Sequence, residues 1–294
     1  MQILDRVKRP SHLGPAIEEN WLRLDGARVR YLRAGSGPPV LLVHGLLGYS
    51  FSWRFTVPAL ATQSTVYAID MLGTGFSDRP TGQDCSLKAS AARLLRFVDG
   101  VGIATCDLLG TSHGGAVAMV AAALAPGRIR RLALADPVNP WSARGRFLTA
   151  FLSHRMVAPL FLGLAPRVRL LDQFYLRRMF GDPRRIPSDS LEGYRKPLGV
   201  PGCFNYGIGV ARSWNRDLRD LEMMLPGIAH IPTLLLWGSR DTAVDPASAT
   251  RLQQNFKNCR LIMFDGVGHL PYEEVPEEFN GAVAEFLASN PGSS

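Results

Sequence analysis

Short, continuously apolar segments recur along this chain of 294 residues, and longer segments of helical character separate them. Six such segments lie at residues 39–43, 66–69, 106–109, 132–135, 233–237 and 261–264. A strand with apolar side chains at nearly every position is buried on both faces, which is typical of a mostly parallel sheet covered by helices. The alternation therefore predicts a doubly wound α/β fold.

Two further strands are predicted ahead of these six. Residues 21–24 and 29–32 alternate apolar and polar side chains around Asp25-Gly26, which is typical of an antiparallel hairpin with one wet face. Helices are predicted at residues 87–101, 116–125, 246–255 and 277–288. The expected architecture is a mostly parallel, eight-stranded sheet flanked by helices.

The alternation of strands and helices fails between Asn139 and Leu221. Residues 139–220 are therefore predicted to form a helical cap, or lid, inserted into a core made of residues 1–138 and 221–294. Long active-site loops are the alternative, and they would be unusual at this length. An apolar stretch at 147–164 is expected to line an acyl pocket, with closure over the substrate or contact with lipid as further possibilities.

The excess positive charge lies in one part of the chain. The net charge is +8, and residues 137–220 hold 14 Lys and Arg against 6 Asp and Glu, which accounts for all of it. Solvated arginine-rich helix faces are the favoured interpretation. Attraction of an anionic substrate, or weak contact with an anionic lipid surface, is the alternative. No aromatic-interleaved basic motif is present, so nucleic acid is not an expected partner.

The cysteines and the amino terminus bear on location. Cys85, Cys106, Cys203 and Cys259 are widely spaced, which predicts free thiols in a reducing compartment, with a secreted disulfide pair as the alternative. The first ten residues carry four charges and no apolar stretch of signal-peptide type. The expectation is a soluble cytoplasmic protein, either a monomer or a homodimer.

Ser112 is the candidate nucleophile, in the sequence Gly110-Thr111-Ser112-His113-Gly114. A G-x-S-x-G match is weak in isolation, because composition alone often supplies one. Here it directly follows a buried strand and precedes a helix of small residues. That context is the one in which a sharp turn exposes a nucleophilic serine above the sheet.

A second glycine-rich turn, His44-Gly45-Leu46-Leu47-Gly48, follows the strand that ends at Val43. Its glycines let a backbone amide face the site. A tetrahedral intermediate needs two such donors, and the backbone amides of Leu46 and His113 are the candidates for an oxyanion hole. The side chain of His44 is expected to pack within the loop and not to act as a base.

A serine nucleophile needs a base, and the base needs an orienting carboxylate. His269 lies on a glycine-rich loop after the last strand, at the edge of the sheet where Ser112 is also expected. Asp241 follows the preceding strand by a short turn. Asp136 and Asp245 are rival acids, but the order Ser112, Asp241, His269 favours Asp241.

These segments together resemble the α/β-hydrolase superfamily, in the branch of serine esterases and carbon–carbon bond hydrolases that is related to epoxide hydrolases and haloalkane dehalogenases. The resemblance covers residues 21–294, with the predicted cap as its poorly matched part. The matching motifs are the HG loop at 44–48, the D-x-x-G-x-G-x-S turn at 70–77, the elbow at 110–114, G-x-x-D at 238–241 and G-H at 268–269. In epoxide hydrolases and haloalkane dehalogenases the nucleophile is aspartate, so Ser112 argues against both activities.

The predicted function is hydrolysis of a carboxylic ester through an acyl-enzyme, with no metal or organic cofactor. The alternative is a carbon–carbon bond hydrolase of the meta-cleavage type that acts on a vinylogous diketone acid, whose carboxylate the arginines of the cap would hold. A third hypothesis, a non-catalytic receptor on the same fold, is disfavoured because all three triad residues are present.

Overall fold

The computed structural model describes residues 3–9, 16–142, 154, 156–164 and 169–289. The strands of these residues form one sheet in the order β1-β2-β3-β5-β4-β6-β7-β8-β9. The three pairings from β1 to β5 are antiparallel, and the five from β5 to β9 are parallel. The strands are β1 Ile3–Arg9, β2 Ile17–Leu24, β3 Ala27–Ala34, β4 Pro39–Val43, β5 Thr65–Ile69, β6 Cys106–Thr111, β7 Ile129–Ala135, β8 Thr233–Gly238 and β9 Cys259–Phe264.

The predicted fold class, a mostly parallel sheet flanked by helices, is confirmed. The sheet has nine strands and not the predicted eight, because β1 adds at its edge by antiparallel pairing with β2. The predicted hairpin is present as β2 and β3. Its turn residues Asp25 and Gly26 both have positive φ, 49° and 84°, as tight hairpin turns require.

The central strands are buried on both faces, as their apolar sequences predict. In β4, Leu41 and Val43 point into one apolar cluster, and Val40 and Leu42 point into the other. The first cluster lies under the helices that contain Phe97 and Leu221, and the second lies under the helix that contains Phe279. The carboxyl ends of the parallel strands are therefore held rigidly at one edge.

Helices cover both faces of the sheet and fill most of the described part of residues 139–220. The helices are α1 Thr56–Leu60, α2 Leu87–Gly100, α3 His113–Leu124, α4 Ala158–Leu164, α5 Arg169–Met179, α6 Ser190–Arg195, α7 Asn205–Ile228, α8 Ala247–Gln253, α9 Pro271–Glu274 and α10 Pro276–Ala288. The helix α7 runs without a break across the predicted cap boundary at residues 220 and 221. Of the apolar stretch predicted at 147–164, residues 147–153 and 155 lie outside the described residues. Among the helices described, none combines the length and the apolar character needed to cross a membrane.

Candidate active site

Ser112 occupies a strained turn between β6 and α3. Its φ of 52° and ψ of −123° lie where a residue with a side chain is rarely found. Two backbone hydrogen bonds fix this conformation: Ser112 N donates to Ala135 O at 3.0 Å, and Val138 N donates to Ser112 O at 2.9 Å. The side chain is half-buried at the point where the strand turns into the helix. This is the sharp strand-to-helix turn that the sequence predicts.

Glycine is needed next to Ser112 because the backbone segments approach closely. A Cβ added at Gly114 would lie 2.3 Å from His44 O and 2.4 Å from Val43 O. A Cβ at Gly110 would lie 2.6 Å from Gly114 O. Both contacts are with backbone atoms that cannot rotate away, so α3 reaches its position against β4 and β6 only with glycine at these sites.

His269 and Asp241 form a buried pair. Asp241 Oδ2 lies 2.7 Å from His269 Nδ1, and the two side chains expose 0% and 6% of their surface. Asp241 Oδ1 accepts hydrogen bonds from the backbone of Ala243 at 2.7 Å and of Val244 at 3.0 Å. These contacts hold the carboxylate in one orientation and assign the proton on His269 to Nδ1, which leaves Nε2 as an acceptor.

The topology brings the three predicted residues to one edge of the sheet. Ser112 directly follows β6, Asp241 comes three residues after β8, and His269 comes five residues after β9. The strands β6, β7, β8 and β9 are consecutive parallel neighbours, so their carboxyl ends lie side by side. Within the described part of the chain, Ser112 Oγ makes no hydrogen bond.

The two predicted oxyanion donors are backbone amides beside Ser112. A Cβ added at Gly45 would lie 3.1 Å from Ser112 Cβ, so the loop that carries Leu46 borders the elbow. His113 N is at the first residue of α3, where helix amides have no partner within the helix. The described residues provide no acceptor for the amide of Leu46 or of His113. Their role as donors to an oxyanion stays a prediction.

His44 is a structural residue. Its ring is fully buried, Nδ1 donates to Gly45 O at 2.7 Å, and Nε2 accepts from Met71 N at 3.1 Å. Burial is the main cause that lowers the pKa of His44, so the ring is neutral. The histidine links the loop at 44–48 to the glycine-rich turn at 70–77, which agrees with its predicted packing role.

The rival acids take different positions. Asp245 Oδ1 accepts from Ala247 N, the first residue of α8, at 3.1 Å, so this side chain faces its own backbone turn. Asp136 is fully buried and lies beside Asp241 and His269. Within the described ranges, these three are the one group of His, Cys, Asp and Glu side chains close enough to share an ion. Two of its members, Asp241 and His269, are joined by a hydrogen bond.

Glu274 is a functional candidate that sequence reasoning missed. Its buried carboxylate accepts three backbone hydrogen bonds, from Gly181 N and Asp182 N at 2.9 Å and from Gly268 N at 2.8 Å. His269 N also donates to Met179 O at 2.7 Å. The turn after α5 and the loop of His269 are therefore held together. Glu274 lies among Glu273, Glu277 and Glu278, so the sequence alone does not distinguish it from its neighbours.

The side chain of His113 is a second missed feature. It is 1% exposed, and neither ring nitrogen has a hydrogen-bond partner among the described residues. Burial is the main cause that lowers the pKa of His113 to about 3. The ring packs edge-on against Tyr206 of α7 at 5.8 Å between centroids. It therefore behaves as an apolar spacer between the elbow and α7.

Comparison with known proteins identifies the family. The family model described as alpha/beta hydrolase fold matches residues 38–276, so the chain belongs to the α/β-hydrolase family. It is a hydrolase of that superfamily.

The relatives of this chain differ in the reactions that their names state. Haloalkane dehalogenase 2 of Mycobacterium tuberculosis is 26% identical over 276 residues, which cover 91% of this chain and 94% of that protein. The 2-hydroxy-6-oxo-2,4-heptadienoate hydrolase of Pseudomonas putida is 28% identical over 265 residues, which cover 87% and 91%. The crystal structure of a membrane phospholipase A, a bacterial virulence factor, superposes with a TM-score of 0.74 at 28% identity, covering 92% of this chain and 86% of that one.

Proposed function

We propose that this protein hydrolyses carboxylic esters through an acyl-enzyme, with Ser112, His269 and Asp241 as its catalytic residues. The observation that carries the proposal is the identity of the elbow residue. A serine occupies the strained turn after β6, at the sheet edge that also holds the Asp241–His269 pair. A serine beside such a pair is suited to attack on a carbonyl carbon.

The proposed reaction has two halves. His269 Nε2 takes the proton from Ser112 Oγ, which bonds to the carbonyl carbon while the amides of Leu46 and His113 bind the oxyanion. The bond from carbon to the alcohol oxygen breaks, and His269 gives its proton to the departing alcohol. A water molecule, deprotonated by His269, then attacks the acyl-enzyme, and the acid leaves as Ser112 regains its proton. Asp241 stabilises the imidazolium at each step.

The reactions stated in the names of the relatives cannot be assigned directly to this chain. The resemblance implies an aspartate nucleophile for dehalogenation and for epoxide opening, and the serine at position 112 disfavours both reactions. Ester cleavage is supported by the serine and by the likeness to a membrane phospholipase A.

Carbon–carbon bond hydrolysis is the second candidate. It is favoured by the 28% identity to the 2-hydroxy-6-oxo-2,4-heptadienoate hydrolase over 91% of that protein's length. Such a substrate carries a carboxylate, and residues 137–220 hold 14 basic against 6 acidic residues. Arg177 and Arg178, in the last turn of α5, are exposed members of this set. A guanidinium group binds a carboxylate through two parallel hydrogen bonds.

The proposal includes the role of residues 139–220 as a cap over the site and a cytoplasmic location. All four cysteines are free thiols, which suits a reducing compartment. It also includes weak contact of the cap with lipid, since Leu160 and Phe174 expose 64% and 66% of their surface and the helix of Phe174 ends with Arg177 and Arg178. We expect the protein to co-sediment with vesicles of anionic phospholipid but not with vesicles of zwitterionic phospholipid. Equal recovery of the protein with both kinds of vesicle would refute the proposed lipid contact.

The deciding experiment is a substrate panel on the wild type and two variants. We expect the wild type to hydrolyse p-nitrophenyl esters, tested from acetate to palmitate, and to react covalently with a fluorophosphonate probe. Ser112→Ala should lose turnover and labelling while it keeps its thermal unfolding temperature. Ser188→Ala, an exposed serine away from the elbow, is the matched control and should behave as the wild type.

The outcomes separate the candidates. Faster turnover of an anionic ring-fission product than of any ester would favour the carbon–carbon hydrolase. Turnover by Ser112→Ala close to that of the wild type would refute the nucleophile. Absence of both labelling and turnover in the wild type would favour a non-catalytic protein on this fold.

A further inference from the structure

Asp136 is a buried carboxyl group that the proposed reaction does not use. It directly follows β7 with a φ of 44°, and it is 0% exposed. Asp136 Oδ1 accepts a hydrogen bond from Gly238 N at 2.9 Å. If Asp136 were ionised, its Oδ2 would have no hydrogen-bond donor among the residues that the structure describes. A buried carboxylate oxygen without a donor costs free energy, and protonation removes this cost because the hydroxyl can then donate a hydrogen bond.

An acceptor for such a proton lies next to Asp136. One carboxylate oxygen of Asp136, one of Asp241 and one ring nitrogen of His269 all lie within 4.8 Å of one another. Asp241 is 2% exposed, so water does not screen the two carboxyl groups from each other. Two carboxyl groups in such a site cannot both ionise freely, and one of them retains a proton.

The hydrogen-bond donors around each acid indicate which one holds the proton. The Asp241 carboxylate accepts from two backbone amides and from His269 Nδ1. Asp136 accepts from the single amide of Gly238. Donors stabilise the ionised form, so the proton belongs on Asp136. Burial first, and then the charge of Asp241, raise the pKa of Asp136 well above its ordinary range. Among the described residues, the other titratable side chains that face Asp136 are those of His269 and, in α9, of Glu274 and Tyr272.

We propose that Asp136 and Asp241 hold one proton between them, carried on Asp136 Oδ2 and donated as a hydrogen bond to the Asp241 carboxylate. Asp136 is then a positioning residue that fixes the orientation of Asp241 beside His269. It is also a reserve acid. When Asp241 loses its charge by substitution, Asp136 ionises and supplies a negative charge near His269. The catalytic consequence rests on the proposed ester hydrolysis, whereas the shared proton does not.

Infrared spectroscopy tests the shared proton without any substrate. A protonated carboxyl has a C=O stretch that ionised carboxylates lack. At neutral pH, protein labelled with ¹³C in its aspartates should show this band in the wild type. The band should vanish in Asp136→Asn, which removes the proton carrier, and in Asp241→Asn, which lets Asp136 ionise. It should persist in Asp245→Asn, the control, whose side chain accepts from Ala247 N. Absence of the band in the wild type, or its persistence in Asp136→Asn, would overturn the proposal.

Kinetics of the same variants test the reserve role. Asp136→Asn keeps an N–H donor toward Asp241 and an oxygen toward Gly238, so its kcat on a p-nitrophenyl ester should stay within about threefold of the wild type. Asp241→Asn should lose about 10²-fold, and the double variant about 10⁴-fold, the loss typical of a triad without its acid. A double variant no slower than Asp241→Asn would refute the reserve role. A loss in Asp136→Asn as large as in Asp241→Asn would show that Asp136 is itself the ionised acid. If the wild type has no esterase activity, the infrared result still decides on the proton.

Discussion

Replacing Glu274 by glutamine is expected to destabilise the protein and to slow its reaction together. Glu274 Oε2 accepts from Gly181 N and Gly268 N, and Oε1 accepts from Asp182 N. A glutamine keeps one oxygen and replaces the other by an amide nitrogen that can only donate. If its oxygen takes the place of Oε2, the amide of Asp182 loses its acceptor and faces another donor. The three hydrogen bonds lie in a buried site, because the side chain of Glu274 is 0% exposed.

The size of the effect follows from these three bonds. A hydrogen bond to a charged group contributes about 1.5–3 kcal/mol, and one such bond is lost outright. The other two lose their charge assistance, which is about half of their strength. The free energy of unfolding should therefore fall by about 3–6 kcal/mol. Because Gly268 adjoins His269, the base also loses a fixed position, and kcat on an ester should fall by about 10- to 100-fold.

Urea denaturation and steady-state kinetics measure the two effects. Glu278→Gln is the matched control, since Glu278 is an exposed acid in the first turn of α10 and its loss should change stability by less than about 0.5 kcal/mol. Wild-type stability and kcat in Glu274→Gln would refute the reasoning. Lower stability with unchanged kcat would show that the carboxylate holds the two segments together without positioning His269.

Two further variants probe the surroundings of the elbow. Burial lowers the pKa of His113 to about 3 from an ordinary 6.5, so below pH 6.5 the unfolded chain takes up a proton that the native state does not. The wild type should therefore lose about 2 kcal/mol more stability than His113→Gln between pH 7.5 and pH 5, measured by urea denaturation; equal slopes would contradict the burial argument. Gly114→Ala places a Cβ 2.3 Å from His44 O and should cost about 3 kcal/mol or more. Its control Gly281→Ala, with no atom within 4 Å of the added Cβ and a helical position, should be neutral or stabilising.

The amino-acid sequence predicts the central sheet well because each inner strand is apolar on both faces. The edge strand β1 was missed for the opposite reason. Ile3–Arg9 carries charges that resemble a polar terminus, and it joins the sheet through backbone pairing with β2, which no side-chain pattern reveals. A strand at the edge of a sheet is recognised only once its partner is known.

The boundary between cap and core is harder to predict from the sequence than the elements themselves. A continuous helix, Asn205–Ile228, begins in the predicted cap and buries Leu221 and Leu225 in the core cluster. Its apolar positions keep one helical period throughout, so neither periodicity nor composition marks residue 220 as a boundary. The division at residues 139 and 220 stays a prediction.

The predictable and the unpredictable parts of the site differ in what defines them. Ser112, Asp241 and His269 follow strands in a fixed order, and this order is visible along the chain. Asp136 and Glu274 are defined by contacts across the fold: Asp136 binds an amide 102 residues away, and Glu274 binds one 93 residues away. Such partners become visible only when the chain is folded.

The three buried acids around His269 follow one rule. Glu274 accepts from three backbone amides, and Asp241 accepts from two amides and the imidazole. Asp136 accepts from one amide. Each N–H donor offsets part of the cost of burying a negative charge, so the acid with the fewest donors is the one that keeps its proton. The arrangement thus leaves one negative charge facing His269 on Asp241, one fixed by amides on Glu274, and a neutral carboxyl on Asp136 that donates to Asp241. A second unprotonated acid in direct contact with Asp241 would raise the cost of its charge, and the donor from Asp136 lowers it.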